Sequence, residues 1–569
     1  MENSKAKLSE SVINALSTMI ISASGWRKVF SIEGDEGRSE QICNADAIIA
    51  GCAALALTMT LKPTKTVLLG TDTRPTGRPL AQCAASMFHT LGIPIRFVGV
   101  SAAPEFMAES RQDDYDFFFY ISASHNPIGH NGFKFGRNGG VFTKKEVQPV
   151  VDCFTKLAED IDQLEFVQKS IKGPMPEIEG KDLAVSHYRD FVLLTIAGSK
   201  QLIPSLISNL RSCPSMGVAV DFNGSARTIS IDRAIFDELG ILHSSINDQP
   251  GEIAHAIVPE GKNLEYCRNL LEKKHAEDSS FILGYTPDND GDRGNLVYID
   301  DDGKSRILAA QTVFALVVLC QLATSSTGPL AVAANGPTSM RIEDIASRFN
   351  AVCFRSEVGE ANAVALAEEL RSQGYVVPIL GEGSNGGSIV HPSKVRDPLD
   401  SILSLLKFLS DKSAVSSWLG KDTCTIGELV RSLPVYTTTD AFSPLAGMKV
   451  RTNDFGSFKT HFEALWQKRF NDLSKLGISS YEEYQLEGTS CNKVSGPEGR
   501  SGNCRGGMKF MLNDMEGNCI GFVWFRPSGT EPLLRLLVDV KGSNQQLHDK
   551  LLAFERELLE ETDNSLLKA

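Results

Sequence analysis

A strand, turn and helix pattern recurs along most of this chain and limits its fold more than any other feature. Short β-branched or aromatic runs end in turns rich in glycine, asparagine, serine or aspartate, and a helical stretch follows. Strands that alternate with helices indicate parallel, doubly wound sheets, which bind ligands at the carboxyl ends of their strands. The predicted fold class is therefore α/β. The clearest strand-like runs are 66–70, 117–121, 218–222, 281–285, 330–334 and 376–380.

The chain has 569 residues, too many for a single hydrophobic core. Its last part reads differently, because strand-like runs at 522–525 and 534–540 precede a closing helix at 545–559 and indicate a small α+β domain. The glycine-, serine- and asparagine-rich segment 481–518 is predicted to be a long exposed loop or a disordered insertion. The predicted domains are 1–190, 191–304, 305–425 and 426–569.

Composition excludes several classes of partner. The formal net charge of −13 makes nucleic acid an unfavourable partner, so a phosphate group must be bound by specific cations, backbone N–H groups or a metal. The 12 cysteines are scattered without zinc spacing, which is typical of a reducing compartment. No signal peptide pattern is visible, and polar residues interrupt the apolar stretches 45–61 and 307–323, which are predicted to be buried helices. We expect a cytoplasmic protein without a membrane partner.

The loop after the run at 117–121 contains the first candidate for chemistry. It reads SASHNPIGHNGFK from Ser122 to Lys134. A serine at the end of a buried strand, Ser124, beside His125 and about ten residues before Lys134, could act as a nucleophile or phosphate carrier. A polar cap over the strand end would explain the same residues, and this stretch alone leaves both interpretations open.

Three carboxylates alternate in the sequence TPDNDGDRG, directly after the run at 281–285. In extended chain, alternate side chains share a face, so Asp288, Asp290 and Asp292 are expected to converge. A hard divalent cation such as Mg²⁺ relieves that crowding of charge. A calcium loop or a plain acidic turn is the alternative, and an EF-hand is excluded because its sixth and twelfth positions would be Arg293 and Ile299.

Two glycine-rich loops follow further strands. GEGSNGG at 381–387 contains the GxGxxG spacing of dinucleotide sites, but SIVHP follows it where a helix would have to begin, so a nicotinamide cofactor is not expected. RPSGTEPLLR at 526–535 combines two arginines, two hydroxyls and a glycine turn, which together can form an anion-binding nest. Taken alone, this second loop could also be a turn with one ion pair.

These motifs, in this order, resemble those of the α-D-phosphohexomutases, the family of phosphoglucomutase and phosphomannomutase. SASHNP followed by NGFK resembles the phosphoserine signature, DNDGDR the metal loop, GEGSNGG the sugar-binding loop and RPSGTEP the phosphate-binding loop, while SGWR at 24–27 is similar to an S/T-G-x-R near the family's start. The resemblance implies three similar doubly wound α/β domains and a smaller C-terminal α+β domain around a central cleft. It also implies Mg²⁺ and, as activator, glucose 1,6-bisphosphate or the matching sugar bisphosphate.

The resemblance assigns roles residue by residue. The phosphate carrier is Ser124, Arg27 lies near the transferring phosphoryl group, and His125 and Lys134 are candidates for acid and base. The metal ligands are Ser124, Asp288, Asp290 and Asp292. The substrate-binding residues are Arg293, Glu382, Ser384, Arg526, Ser528, Gly529, Thr530 and Arg535.

The expected function is interconversion of hexose 1-phosphate and hexose 6-phosphate through a phosphoserine enzyme and a bisphosphorylated sugar, with glucose or mannose phosphates as first substrates. Two departures leave the sugar open. No histidine follows Ser384, where 385–387 is similar to the ENGG variant of some relatives, and Glu357 stands where many relatives place a lysine. The alternatives are a phosphoglucosamine or phosphopentose mutase, a metal-dependent phosphatase, a serine hydrolase or a non-catalytic relative.

Overall fold

The structure is a computed structural model that describes residues 2–22, 25–213, 216–325, 328–385, 387–528 and 533–566. The chain forms two compact units, one of residues 1–307 and 392–410 and the other of residues 308–391 and 411–569. The described residues form four β-sheets, two in each unit. The α/β fold class is confirmed. The domain boundaries at 190, 304 and 425 stay predictions.

The first sheet has strand order β1-β2-β6-β5-β3-β4, with β7 beside β6. Strands β4, β3 and β5 run parallel, whereas β6 is antiparallel to β5 and β2. The strands are β1 (Ile20–Ser22), β2 (Gly25–Val29), β3 (Thr66–Thr71), β4 (Ile95–Val100), β5 (Tyr115–Ile121), β6 (His130–Arg137) and β7 (Gly140–Val141). The helices are α1 (Glu2–Ser17), α2 (Asn44–Leu61), α3 (Gly77–Thr90), α4 (Ala103–Glu109), α5 (Lys144–Glu159), α6 (Ile161–Ser170), α7 (Lys181–Ala197) and α8 (Ile203–Ser212).

Helix α2 is the centre of the first sheet's hydrophobic core. Its apolar residues pack with α3, α5 and the faces of β3 and β5. Helix α2 is long and apolar enough to cross a membrane, but 67% of its length is buried inside the protein. The bent pair α7–α8 would also be long and apolar enough if the two helices formed one span. The predicted buried helix at 45–61 is therefore confirmed.

The second sheet has strand order β12-β11-β10-β8-β9. Strands β9, β8 and β10 run parallel, and β11 folds back antiparallel to β10. The strands are β8 (Gly217–Asp221), β9 (Leu242–Ile246), β10 (Phe281–Pro287), β11 (Gly294–Ile299) and β12 (Ser305–Ile307). The helices are α9 (Asp232–Leu239) and α10 (Glu265–Glu277).

The third sheet, in the second unit, repeats this scheme with order β14-β13-β15-β16, in which only β16 is antiparallel. Its strands are β13 (Leu330–Asn335), β14 (Val352–Ser356), β15 (Val376–Glu382) and β16 (Gly387–Val390). The helices of this stretch of chain are α11 (Ala310–Ala323), α12 (Arg341–Arg348), α13 (Glu360–Ser372), α14 (Pro398–Ser410), α15 (Lys412–Leu419) and α16 (Ile426–Arg431). Of these, α14 belongs to the first unit.

The fourth sheet is antiparallel throughout, with order β17-β23-β22-β21-β19-β20 and β18 beside β23. Its strands are β17 (Tyr436–Thr438), β18 (Gly447–Lys449), β19 (Ser480–Glu487), β20 (Ser490–Lys493), β21 (Gly507–Asn513), β22 (Cys519–Pro527) and β23 (Leu533–Lys541), and its helices are α17 (Phe455–Arg469) and α18 (Gln545–Leu566). The prediction of a loop or disordered insertion over 481–518 was wrong for about half of the segment, because β19, β20 and β21 lie in it.

Each of the four candidate loops connects a strand to its antiparallel neighbour. The serine loop joins β5 to β6, the aspartate loop β10 to β11, the GEGSNGG loop β15 to β16 and the RPSGTEP loop β22 to β23. The prediction of parallel sheets was therefore incomplete. Alternation of strands and helices indicates the parallel pairs, but it does not reveal which strand turns back on its neighbour.

Candidate functional site

The serine loop holds Ser124 in a constrained conformation. Ser124 is buried and has φ 53°, in the left-handed region that non-glycine residues seldom adopt. Its N–H donates to Ser122 Oγ at 2.9 Å, and its own Oγ donates to Asp288 Oδ2 at 2.7 Å. Such strain persists only where the surroundings impose it, and it is frequent at functional sites.

Arg74 imposes the shape of this loop. Its guanidinium donates to the carbonyl oxygens of Ser124 at 2.7 Å, Asn126 at 2.6 Å and His130 at 3.0 Å, and also to that of Pro127. Asp72 Oδ2 lies 3.2 Å from Arg74 Nε. Arg74 thus satisfies carbonyl oxygens that the irregular loop leaves without β-sheet partners.

The aspartate loop brings its three carboxylates together, as predicted. Asp288, Asp290 and Asp292 are buried, and one carboxylate oxygen of each lies within 4.8 Å of the others. Among the described residues, Asp290 Oδ1 and Asp292 Oδ1 have no hydrogen-bond partner. Burial, and then the charges of its two neighbours, raise the pKa of Asp288 to about 8. Converging carboxylate oxygens without donors fit a hard divalent cation.

Two cations contact the cluster of carboxylates. Lys134 Nζ, on β6, donates to Asp290 Oδ2 at 2.7 Å and lies 3.4 Å from Asp292 Oδ2. Arg396 Nη2 donates to Asp292 Oδ2 at 3.0 Å. Although burial disfavours its charged form, the attraction of Arg396 and Lys134 holds the pKa of Asp292 well below its usual range. Despite burial, Asp290 and Asp292 raise the pKa of Lys134.

Two further arginines lie around the serine loop. Arg27, on β2, pairs across the sheet with Gly132 of β6, so it shares a face with Lys134 two residues further along β6. Arg293 Nη1 lies 3.0 Å from His125 Nδ1. Enclosure in the protein, and then the charge of Arg293, lower the pKa of Arg27 to about 10. The same two causes hold the pKa of His125 well below its ordinary value, so the imidazole is neutral and Nδ1 accepts the hydrogen bond.

The first unit therefore assembles all but the sugar- and phosphate-loop residues of the predicted site. Ser124, His125, Lys134, Arg27, Arg293 and the three aspartates lie around one point, although their roles stay predictions. Sequence reasoning missed Arg396, which is 104 residues from Asp292 and whose neighbours carry no recognisable motif. It also missed Ser122, whose Oγ donates to Asp290 Oδ2 at 2.8 Å.

In the second unit, the GEGSNGG loop follows β15. Glu382 is buried, and its Oε1 accepts hydrogen bonds from Asn335 Nδ2 at 3.0 Å and from the Gly359 N–H at 2.8 Å. Ser384 is half-buried in a short 3₁₀ turn over Gly383–Asn385. The strand β16, not a helix, follows this turn, which agrees with the rejection of a dinucleotide site. Contact of Glu382 and Ser384 with a sugar stays a prediction.

The RPSGTEP loop lies between β22 and β23. Arg526 and Arg535 stand directly opposite each other across the two strands. Two like charges in such a pair repel, and a bound anion would offset that repulsion. The Ser528 N–H donates to the Leu533 carbonyl at 2.7 Å. The predicted contacts at Gly529 and Thr530 lie outside the described residues.

This chain is similar to several known phosphomutases. A family model described as phosphoglucomutase/phosphomannomutase, alpha/beta/alpha domain I, matches residues 19–160. A phosphoglucosamine mutase of Methanococcus maripaludis is 25% identical over 508 residues, which cover 88% of this chain and 93% of the relative. A phosphoglucomutase/phosphomannomutase of Thermococcus kodakarensis is 24% identical over 483 residues, covering 84% and 87% of the two chains. A crystal structure of a phosphoglucomutase/phosphomannomutase family protein from Burkholderia thailandensis has the same fold, with TM-score 0.64, 15% identity and coverage of 95% and 98%.

Proposed function

We infer from its membership of the α-D-phosphohexomutase family that this chain is a phosphomutase, an isomerase that transfers phosphate within its substrate. We propose that it interconverts the 1-phosphate and 6-phosphate of a hexose, with Ser124 as phosphate carrier. One observation carries the proposal: Ser124 Oγ lies 2.7 Å from a carboxylate of the buried aspartate cluster. A serine that only capped the end of the strand would not require a cluster of buried carboxylates beside it.

The charges of the first unit suit a phosphoserine and a divalent cation together. Four cations, Arg27, Lys134, Arg293 and Arg396, surround three carboxylates. A phosphorylated Ser124 would add about two negative charges. A divalent cation, proposed to be Mg²⁺ and held by the three aspartates and the phosphorylated serine, would balance them and act as a Lewis acid on the phosphoryl oxygens.

Transfer breaks the bond between phosphorus and Ser124 Oγ and forms one between phosphorus and the free hydroxyl of the sugar phosphate. The hydroxyl proton ends on Ser124 Oγ, and Lys134 and His125 are the proposed carriers for it. Arg27 and Arg293 stabilise the charge that spreads over the phosphoryl oxygens, so catalysis is mainly positioning and electrostatics. A second transfer, back to Ser124 from the other end of the sugar bisphosphate, completes the isomerisation.

The remaining loops are proposed to hold the substrate. Arg526, Ser528, Gly529, Thr530 and Arg535 would bind the phosphate that is not transferred, and Glu382 and Ser384 would contact sugar hydroxyls. We propose glucose and mannose phosphates as substrates, with glucosamine phosphate as the second candidate. The second candidate has a specific basis, because the Methanococcus maripaludis relative that covers 88% of this chain is named a phosphoglucosamine mutase.

The test is a coupled assay of the full chain with Mg²⁺ and a trace of glucose 1,6-bisphosphate. Glucose 1-phosphate, mannose 1-phosphate and glucosamine 1-phosphate are supplied separately, and formation of the 6-phosphate is followed. We expect turnover that Ser124→Ala abolishes while the protein stays folded. Ser86→Ala is the matched control, since Ser86 is a buried serine near the same sheet whose hydroxyl donates to the Gln82 carbonyl within α3. Undiminished activity of Ser124→Ala would refute the proposal, and phosphate release equal to sugar consumption would indicate a phosphatase.

A further inference from the structure

The carboxylate of Glu357, directly after β14, connects three separate segments of the second unit. Glu357 Oε1 accepts from the Val358 N–H at 2.7 Å and lies 2.9 Å from Arg526 Nε. Glu357 Oε2 accepts a hydrogen bond from the Gly507 N–H at the start of β21. The Glu357 side chain is 8% exposed and that of Arg526 24%. The contact therefore joins the third sheet to the loop that was predicted to bind phosphate.

The backbone near Glu357 is shaped to admit this carboxylate. A Cβ atom on Gly507 would lie 2.6 Å from Trp524 Nε1 and 3.2 Å from Glu357 Oε2. Any larger residue at 507 would therefore displace one of the two side chains. The main chain of Glu357 is fixed as well, because its N–H donates to the Gly488 carbonyl at 2.9 Å. Hydrogen bonds therefore fix both the main chain and the carboxylate of Glu357.

The contact also offsets the repulsion between two arginines of the RPSGTEP loop. Arg526 faces Arg535 directly across β22 and β23, which is unfavourable without a counter-charge. Glu357 supplies a negative charge to Arg526 from the side of β21. The end of the loop is braced independently, since Arg505 Nη1 donates to the Ser528 carbonyl at 2.9 Å.

We propose that Glu357 is a positioning residue for phosphate binding: its carboxylate forms an ion pair with Arg526 on the Nε side, without a hydrogen bond to the Nε–H, and so leaves the terminal Nη groups to bind a phosphate dianion. This proposal rests on the proposed function, which assigns the loop to phosphate. A purely repulsive role for Glu357 is the alternative. The two backbone N–H groups and the arginine around the carboxylate argue against it, because they offset its charge.

The test measures binding of inorganic phosphate to the full chain by titration calorimetry, which does not depend on turnover. We compare the wild type with Glu357→Gln, Arg526→Ala and Asp539→Asn. Asp539 is the matched control: it is a buried carboxylate whose Oδ2 accepts from the Met340 N–H at 2.8 Å, so it also joins the two sheets, but through a different pair of segments. Arg526→Ala separates binding at this loop from binding of phosphate elsewhere.

We expect Glu357→Gln to weaken the Arg526-dependent binding roughly tenfold, the size of one charge-assisted contact, and Asp539→Asn to leave it unchanged. In the mutase assay, KM for the sugar phosphate should rise with little change in kcat. If Glu357→Gln does not fold, Glu357→Asp takes its place with the same expected loss, because its shorter side chain cannot span from β14 to Arg526.

The outcomes distinguish this proposal from the one it rests on. If Arg526→Ala binds phosphate as the wild type does, the loop does not bind phosphate, and both the loop's proposed role and the Glu357 proposal fail. If Arg526→Ala weakens binding but Glu357→Gln does not, only the Glu357 proposal fails. Tighter binding by Glu357→Gln would also overturn it, since the carboxylate would then act only by repulsion.

Discussion

Replacing Asp288 by asparagine should stabilise the protein in the absence of divalent cations and abolish its response to them. At the 4.8 Å within which the carboxylate oxygens lie, each pair of like charges repels by about 3.5 kcal/mol for an effective dielectric constant of 20. Asp288 takes part in two such pairs, whereas Lys134 and Arg396 contact its neighbours. Because burial and the charges of the other two carboxylates raise the pKa of Asp288 to about 8, it is partly protonated near neutral pH and experiences only part of this repulsion. The introduced amide oxygen would still accept the Ser124 hydrogen bond. The charge of Arg293, which attracts the Asp288 carboxylate, and the hydrogen bond from the Arg293 N–H offset most of the repulsion that remains, so we expect a net gain of about 2 kcal/mol in the free energy of unfolding.

The assay is thermal unfolding of both proteins, first with a chelator and then with millimolar Mg²⁺. With the chelator, Asp288→Asn should unfold about 2–3 °C above the wild type. With Mg²⁺, the wild type should gain stability and the variant should not, because a neutral amide is a poorer ligand. Mutase activity should be lost in the variant.

A matched control uses a buried carboxylate that has partners. Asp221 Oδ2 lies 2.8 Å from His255 Nε2, and Asp221 Oδ1 accepts from Asn247 Nδ2 at 2.9 Å. Asp221→Asn should therefore lower stability by about 1–3 kcal/mol with or without Mg²⁺. If Asp288→Asn is no more stable than the wild type with the chelator, or if Mg²⁺ stabilises both equally, the three carboxylates neither repel one another nor bind the cation as proposed.

Two further predictions concern the serine loop and the fourth sheet. Arg74→Lys should lower the free energy of unfolding by about 2–4 kcal/mol and reduce activity strongly, because lysine cannot donate to four carbonyl oxygens at once. Unchanged unfolding and kinetics would contradict the role of Arg74 in bracing the loop. Burial, and then the Glu463 carboxylate, raise the pKa of Glu483 to about 8, above its unfolded value of about 4.3. The folded protein therefore prefers the protonated form of Glu483. The stability that this proton contributes is present at low pH and is lost as pH rises from about 4 to 8. Glu483→Gln should therefore flatten the fall of the unfolding midpoint between about pH 5 and 8, and equal slopes for the two proteins would contradict this.

The local sequence was sufficient to predict the site residues that lie at the ends of strands. Ser124 and the three aspartates each follow a buried strand directly, and the two-residue spacing of the aspartates already predicts that they converge. The order of the motifs supplied the remaining role assignments, because it resembles the order in a known family. These features depend on residues close together in the chain, which is why a single sequence reveals them.

Contacts over long distances in the chain could not be predicted in this way. Arg396 and Glu357 act on residues more than a hundred positions away, and no local pattern links arginine to Asp292 or glutamate to Arg526. The error over 481–518 has a local cause. The glycines and serines of this segment lie mainly at 488–507, and the flanking strands β19 and β21 contain aromatic and aliphatic residues that favour strands.

The most direct test of Ser124 as the phosphate carrier is to locate the phosphate on the enzyme. The full chain is incubated with Mg²⁺ and glucose 1,6-bisphosphate labelled in its phosphates, the labelled protein is isolated, and the modified residue is identified by peptide mass spectrometry. The isolated protein is then mixed with unlabelled hexose 1-phosphate in a single turnover. We predict label on Ser124, transfer of that label to the sugar, and no label on Ser124→Ala. Label on another residue, or label on Ser124 that passes to water and not to the sugar, would contradict this prediction.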